Sequence, residues 1–416
     1  MAVKKVVIIG AGVIGLTTAY ELRRRGIDVV LVDRAKAGKQ ASHGNAGWIT
    51  PSLSDPVPAP GLTTQSIRML LQPDSPFHIR PSSIPSMIPW LLKFRAHCNE
   101  RDFHKGMKAT VALNKFTMPL YDRLYENNVD FEMHSTGLFR VSLTEEEADE
   151  FMADSKVLES YGYLPAVRVT GDEARSMEPE LSDKVVGGVL FPEERHVRPD
   201  TLINGLIKWL NNAGVEILNN ESFVAPIQRN GNFVGIRTQA RDIEADTIVV
   251  AAGAWGGEVA RQFGVKIPMR GGIGYSITME NPELKINRSM YLGHARVAVT
   301  PFENALRFAG TMELASLNAK PNPRRIMAIR RSVIPYFTNW KVETKGEEWM
   351  GIRPMTTDGL PVIGKSPKSD NVFIATGHAM LGVTLATVTG AAVADLITEG
   401  KTEIAVEPFS PARFRQ

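Results

Sequence analysis

A single cysteine, Cys98, stands in a chain of 416 residues, so neither a disulfide framework nor a cysteine-based metal site can be built. Histidine is scarce at eight residues. Neither HExxH nor any Cys/His ligand spacing occurs, and no metal centre is predicted. Charge of one sign is missing too: 48 Lys+Arg against 45 Asp+Glu leave a net of +3. With no long basic block, nothing points to nucleic acid. The Arg23-Arg24-Arg25, Arg324-Arg325 and Arg330-Arg331 clusters read as solvated helix faces, with contact to anionic lipid as the alternative. Two stretches imitate membrane signals. Met1 to Ile14 resembles a short signal peptide, but glycines interrupt its apolar part and no cleavage site follows. Gly377 to Ile397 nears the ~20-residue spanning length, yet it is rich in Thr, Ala and Gly, which predicts a buried helix. The expectation is a cytoplasmic protein, with peripheral contact at the inner membrane face as the alternative.

What is present is an ordinary globular balance, 43% hydrophobic and 22% charged, enough chain for two or three domains. The opening reads strand, turn, helix, strand. Val6-Val7-Ile8-Ile9 is apolar on both faces, as a buried parallel strand requires. A glycine turn follows, then a helix to Gly26 and a strand Val29–Val32 ending at Asp33. From Pro51 to Pro85 the chain is rich in Pro and Ser, with a short helix expected near Ile67–Leu71. Helices are expected over Ser86–Phe94, Lys105–Asn127 and Glu145–Tyr161, with strand-like pieces at Phe131–Met133 and Leu138–Val141. A second αβ passage opens at Pro199 and reaches the strand Val215–Leu218. The run Asp246 to Gly253 is a further buried strand. Pro268 to Phe337 reads as antiparallel strands, and the tail as a strand at Val372–Ile374 and a helix from near Leu381. The βαβ pieces thus fall into three blocks with β-rich material between them, a discontinuous arrangement of α/β plus α+β type.

Gly10, Gly12 and Gly15 form GxGxxG between a strand and a helix. The first permits the tight turn, the second admits a pyrophosphate to the backbone, and the third lets helix and strand pack closely. Asp33 follows Gly15 by 18 residues, where an acid accepts hydrogen bonds from a ribose. Arg34 beside it suggests a 2′-phosphate, but the acid favours adenosine with a free ribose. This fingerprint does not separate nicotinamide from flavin. In Ser42-His43-Gly44-Asn45-Ala46-Gly47, small residues let backbone wrap a planar ring while Ser42 and Asn45 offer polar contacts; an ordinary turn is the alternative. Ala251-Ala252-Gly253-Ala254-Trp255 is another strand running into glycine. Gly377-His378 and Leu381-Gly382-Val383-Thr384 bring backbone NH groups to where a reduced ring carries negative charge.

With GAGVIG, the SxxNAG segment, GIRPMTTDGLPVIG and TGHAMLG in order, the whole chain resembles the D-amino-acid oxidase-like flavoprotein family, in its D-amino-acid dehydrogenase branch. It is similar also to D-hydroxyproline dehydrogenases and glycine oxidase. The resemblance implies non-covalent FAD on a discontinuous Rossmann-type domain (1–100, 196–265 and 346–416), roofed by a β-sheet substrate-binding domain (101–195 and 266–345). It implies cofactor contacts from Gly10, Gly12, Val13, Ile14, Gly15, Asp33, Arg34, Ser42, Asn45, Ala46, Gly47, Val224, Ala252, Gly253, Trp255, Arg353, Gly377, His378, Leu381, Gly382, Val383 and Thr384. Arg353 matches the arginine that pairs with the substrate carboxylate, a role the guanidinium geometry suits. His378 is either a catalytic or a structural histidine. His43 raises a covalent flavin bond as an alternative, and Cys98 matches no attachment site. Where relatives carry a carboxylate-binding tyrosine, this chain has Arg296-Val-Ala298-Val-Thr300; Tyr275, Tyr291, Tyr336 or Arg296 are the candidates to replace it. The implied reaction is oxidative deamination of an amino acid by hydride transfer from Cα to flavin N5, giving an imine and then a 2-oxo acid and ammonia. D-proline or D-hydroxyproline oxidation, glycine or D-amino-acid oxidation by oxygen, and a non-catalytic flavin subunit of a heteromeric amine dehydrogenase are the alternatives. The electron acceptor, a respiratory quinone chain or oxygen, and the oligomeric state stay open.

Overall fold

The computed structural model describes residues 3–62 and 75–414; the expected helix near Ile67–Leu71 lies outside them. The buried run at the start becomes β1 (Lys5–Ile9), the centre of a six-stranded sheet. It pairs in parallel with β2 (Asp28–Val32) and β14 (Thr247–Val250), Val6 facing both Val29 and Thr247. Outward lie β10 (Glu216–Leu218) on one side and β21 (Val372–Thr376) on the other, with β20 (Val362–Lys365) antiparallel at the edge. Three separate stretches of chain therefore complete one sheet. The helix Val13–Arg24 packs against Ala386–Thr398, and Gly390 allows the approach: a Cβ there would meet the Thr17 carbonyl carbon at 2.7 Å. Thr17 Oγ1 donates to the Ala386 carbonyl across this contact at 2.8 Å.

The second layer is a nine-stranded mixed sheet. Its path runs β19 (Glu347–Thr356), β15 (Met269–Glu280), β18 (Ala305–Leu314), β17 (Val297–Pro301), β16 (Ser289–Leu292), β6 (Leu138–Ser142), β8 (Gly187–Phe191) and β7 (Val167–Thr170). β4 (Phe77–Ile79) pairs with β18 off that path. Two small sheets complete the structure: β11 (Phe223–Arg229) with β12 (Asn232–Thr238) and β13 (Asp242–Glu244), and β3 (Trp48–Ile49) with β9 (Arg195–Val197) and β5 (Met133–His134).

Packing cuts across the sequence-based division of the chain. β4, within 1–100, and β19, within 346–416, belong to the nine-stranded sheet. The helical stretch after residue 100 instead gives Ala109, Leu113, Tyr121 and Leu124 to the core of the parallel sheet. That stretch is two helices, Glu100–Asn114 and Thr117–Glu126, where one was expected. Pro119, in the first turn of the second, has no N–H to carry the first helix through. The helix expected from Leu381 begins at Ala386, because left-handed Ala379 (φ 47°) and the turn bond from Leu381 N to His378 O bend the chain first. No helix among the described residues is long and apolar enough to cross a membrane; Gly377–Ile397 is instead a turn after β21 and a buried helix.

Candidate active site

One cavity of about 1090 Å³ runs from the glycine turn after β1 to the face of the nine-stranded sheet. Its nucleotide end is made by backbone. Gly10 has φ +111°, and a Cβ there would sit 2.4 Å from the Ala251 carbonyl oxygen; one on Gly15 would sit 1.9 Å from the Gly10 oxygen. Only glycine closes this turn. Asp33 accepts from the Ala11 amide at 2.8 Å and from the Ala35 amide at 2.9 Å. Burial pushes its carboxyl pKa up, against the pull of those amides. The Arg34 guanidinium lies 3.5 Å from the centroid of the Trp255 ring. Ser42 Oγ accepts from Val13 N at 3.2 Å, docking the SxxNAG segment on the helix N-terminus, and Asn45 Oδ1 accepts from Gly47 N at 2.7 Å.

The other end is made by side chains from distant strands. Arg353, on β19, lies over Gly274 of β15, where a Cβ would fall 2.3 Å from its Nη2. It donates to the Thr311 carbonyl of β18 at 2.8 Å. No carboxylate among the described residues pairs with it, and burial pulls its pKa down to about 10. Thr311 is β-branched yet held at φ 57°, and its hydroxyl has no partner. Such strain persists only where the surroundings impose it.

Most of the predicted residues line this cavity. Gly10, Gly12, Val13, Ile14, Asp33, Arg34, Ser42, Asn45 and Ala46 do so on one side; Ala252, Gly253, Trp255, Arg353, His378, Leu381, Gly382, Val383 and Thr384 do so on the other. Gly15, Gly47 and Gly377 stand behind the wall and shape its turns. Val224 does not reach the cavity. It is 49% exposed on β11, and alternation along that strand turns Phe223 toward the cavity instead. Tyr275 lines the cavity, but its hydroxyl donates to Glu313 Oε2 at 2.6 Å and accepts from Asn322 N at 3.1 Å. His378 is buried against Thr389 Oγ1 at 2.9 Å and its pKa falls to about 3, which keeps the ring neutral. Tyr291 and Arg296 line the cavity, whereas Tyr336 accepts from Ala295 N in the core of the large sheet. His43 and Cys98 are not part of the lining.

Three contributors escaped the sequence reading. Arg307 on β18 is buried and donates to the His43 and Asn45 carbonyls at 3.1 and 2.6 Å, tying the SxxNAG loop to the sheet. Trp349 fills the space that Gly44 and Gly351 leave open. Buried Glu194 accepts from the Ser52 amide at 2.8 Å and its pKa rises to about 8 by desolvation. An arginine inside an otherwise apolar strand was the one available signal, at Arg307.

Residues 5–396 match the family described as FAD dependent oxidoreductase. The chain belongs to that family. Its cofactor is FAD, and the cavity suits one: a glycine turn at a helix N-terminus, an acid at the end of β2, and a long hollow beyond. The chain is 30% identical to a Vibrio atlanticus protein named D-amino acid dehydrogenase, over 99% of this chain and 100% of that one. In fold it is similar to L-proline dehydrogenase from P. horikoshii (TM-score 0.79, 20% identity, 99% and 98% of the two chains). It is similar also to glycine oxidase from Bacillus cereus (TM-score 0.75, 21% identity, 99% of each chain). The protein is an FAD-dependent oxidoreductase with a separate sheet facing its nucleotide-binding layer.

Proposed function

We propose that this oxidoreductase is a D-amino-acid dehydrogenase acting on the CH–NH2 group of its substrate. The carrying observation is Arg353, a deeply set guanidinium that faces the cavity without a carboxylate partner among the described residues. A cation so placed costs several kcal/mol unless an anion joins it, and a substrate carboxylate is the anion of matching geometry. The naming of relatives such as the Vibrio atlanticus protein supports the same substrate class.

In this reading the Gly10–Gly15 turn would hold the pyrophosphate of non-covalent FAD, Asp33 would take its ribose, and the Ser42–Gly47 and Leu381–Thr384 segments would hold its ring. When bound, the flavin supplies the acceptor for the hydride leaving Cα. Arg353 grips the carboxylate with two parallel N–H···O bonds and so aims Cα–H toward one face of the ring. Arg307 holds the Asn45 carbonyl, and with it the loop against which the ring lies. The amine must be neutral for its lone pair to assist. His378, kept neutral and bonded to Thr389, and Tyr275, bonded to Glu313, are assigned no proton transfer. The imine leaves and is hydrolysed in water to a 2-oxo acid and ammonia.

Anaerobic mixing of the purified yellow protein with both enantiomers of alanine, proline and 4-hydroxyproline, plus glycine and sarcosine, tests this by flavin bleaching. Bleaching by D-enantiomers is expected. Slow return of colour in air, with fast return on adding a quinone, is expected for a dehydrogenase feeding a respiratory chain at the inner membrane face. No bleaching by any of them would overturn the amino-acid reading.

A further inference from the structure

We propose that Asp55 is the second charged contact for the substrate, binding a cation at the far end of a dibasic D-amino-acid side chain. The inference rests on the reading of Arg353 given above.

Three acids line the cavity among the described residues. Asp33 is engaged by backbone amides, and Glu258 lies near Arg34 at the nucleotide end. Asp55 stands apart. Its side chain opens into the cavity and makes no hydrogen bond or close ion pair with any described residue. The charges that act on it are those of Arg140, which favours its ionised form, and Asp154, which opposes it. Arg140 has partners of its own: it faces Asp154 at 3.6 Å, reaches the Ser52 carbonyl at 3.5 Å and lies over the Phe151 and Phe191 rings, while its Nε has no partner. One negative charge is left over, facing the hollow.

Strand register gives the span from Arg353 to the Arg140 end of the cavity floor. Arg140, Tyr291, Ala298 and Ala309 are direct partners across β6, β16, β17 and β18, so their side chains share one face of the sheet. Tyr291, Ala298 and Ala309 line the cavity. The Arg353 guanidinium lies at the β15–β18 end of this row, over Gly274 and bonded to Thr311; Asp55 lies beside Arg140 at the β6 end. From β18 to β6 are three strand spacings, roughly 14 Å. An extended lysine or arginine separates its carboxylate from its terminal cation by about 7 Å, and a charge-assisted contact at each end adds about 3 Å. The two lengths agree. The floor between is Ala309, Ala298 and then Tyr291, so the two alanines leave room for the methylene stem and the tyrosine ring lies next to its charged end.

The test compares anaerobic flavin reduction of the holoenzyme and of Asp55→Asn by D-lysine, D-arginine, D-norleucine and D-alanine. D-norleucine carries the lysine stem without its charge. In the unmodified protein, half-saturation is expected at lower concentration for D-lysine than for D-norleucine. In Asp55→Asn the value for D-lysine and D-arginine should rise about tenfold, near 1.4 kcal/mol, with D-norleucine, D-alanine and FAD content unchanged. Asp55→Glu should recover part of the preference. Equal half-saturation in both proteins, with neutral D-amino acids still bleaching the flavin, overturns the role of Asp55 and leaves the deamination reading intact. Bleaching by none of the four overturns both.

Discussion

The two ends of the cavity are built by different means. At the nucleotide end backbone does the work: the Gly10 turn, the Ala11 and Ala35 amides on Asp33, and the Val13 amide on Ser42 all come from the first stretch of chain. At the substrate end the work falls to side chains brought together by register, Arg353 from β19 above Gly274 of β15 and beside Thr311 of β18. A backbone cradle is fixed by the fold and tolerates almost no change. A side-chain constellation can be retuned one residue at a time while the sheet beneath it stays the same.

The sharpest way to break this contrast is Gly10→Val. With the added atoms directed at the Ala251 carbonyl, the protein should purify colourless, read as the ratio of flavin to protein absorbance; a yellow product would show that backbone space is not what limits this end. Next, Arg353→Leu should keep its FAD and lose about a thousandfold in the second-order rate of flavin reduction, roughly 4 kcal/mol for a buried charge pair. Loss of colour in that variant would mean that the two ends are not separable. Glu194 gives a pH signature. Its folded pKa of about 8 lies above the ordinary carboxyl value, so the folded state binds the proton more tightly than the unfolded chain. Its contribution is full below about pH 4.5 and is lost as pH rises through 8. Glu194→Gln, a mimic of the protonated acid, should flatten the fall in Tm between pH 5 and 8; an unchanged slope would assign that fall to other groups. The smallest effect belongs to Tyr275→Phe. Removing its hydrogen bonds to Glu313 and Asn322 should cost about 2 kcal/mol of stability in denaturant melts with the reduction rate nearly unchanged, and a large drop in rate would return Tyr275 to the chemistry.

This contrast also sets what was legible beforehand. The glycine turn, Asp33 and the loop at Ser42–Gly47 were legible as parts of one cavity wall because each is a local pattern in the sequence. Arg353 was readable through its motif, although its contacts with Gly274 and Thr311 depend on strands that are neighbours only in the folded sheet. Val224 stands one residue from Phe223, which lines the cavity, and that single step turns a strand side chain to the opposite face. Arg307 and Glu194 were missed because their partners are 262 and 142 positions away, and Trp349 because Gly44, which ties it to the SxxNAG loop, is 305 positions away. The helix boundaries at Lys115 and Ala386 moved for local reasons, a proline and a left-handed alanine.

The interleaving of the two large sheets has an evolutionary consequence. The six-stranded sheet is assembled from three visits of the chain, with strands of the nine-stranded sheet threaded between them. No single recombination event could exchange one layer for another from a different gene, as it could if the layers followed each other in sequence. A lineage built on this topology therefore inherits both layers together and diversifies by substitutions on the exposed floor of one sheet, which makes alanines such as Ala298 and Ala309 the natural places to look for a change of diet.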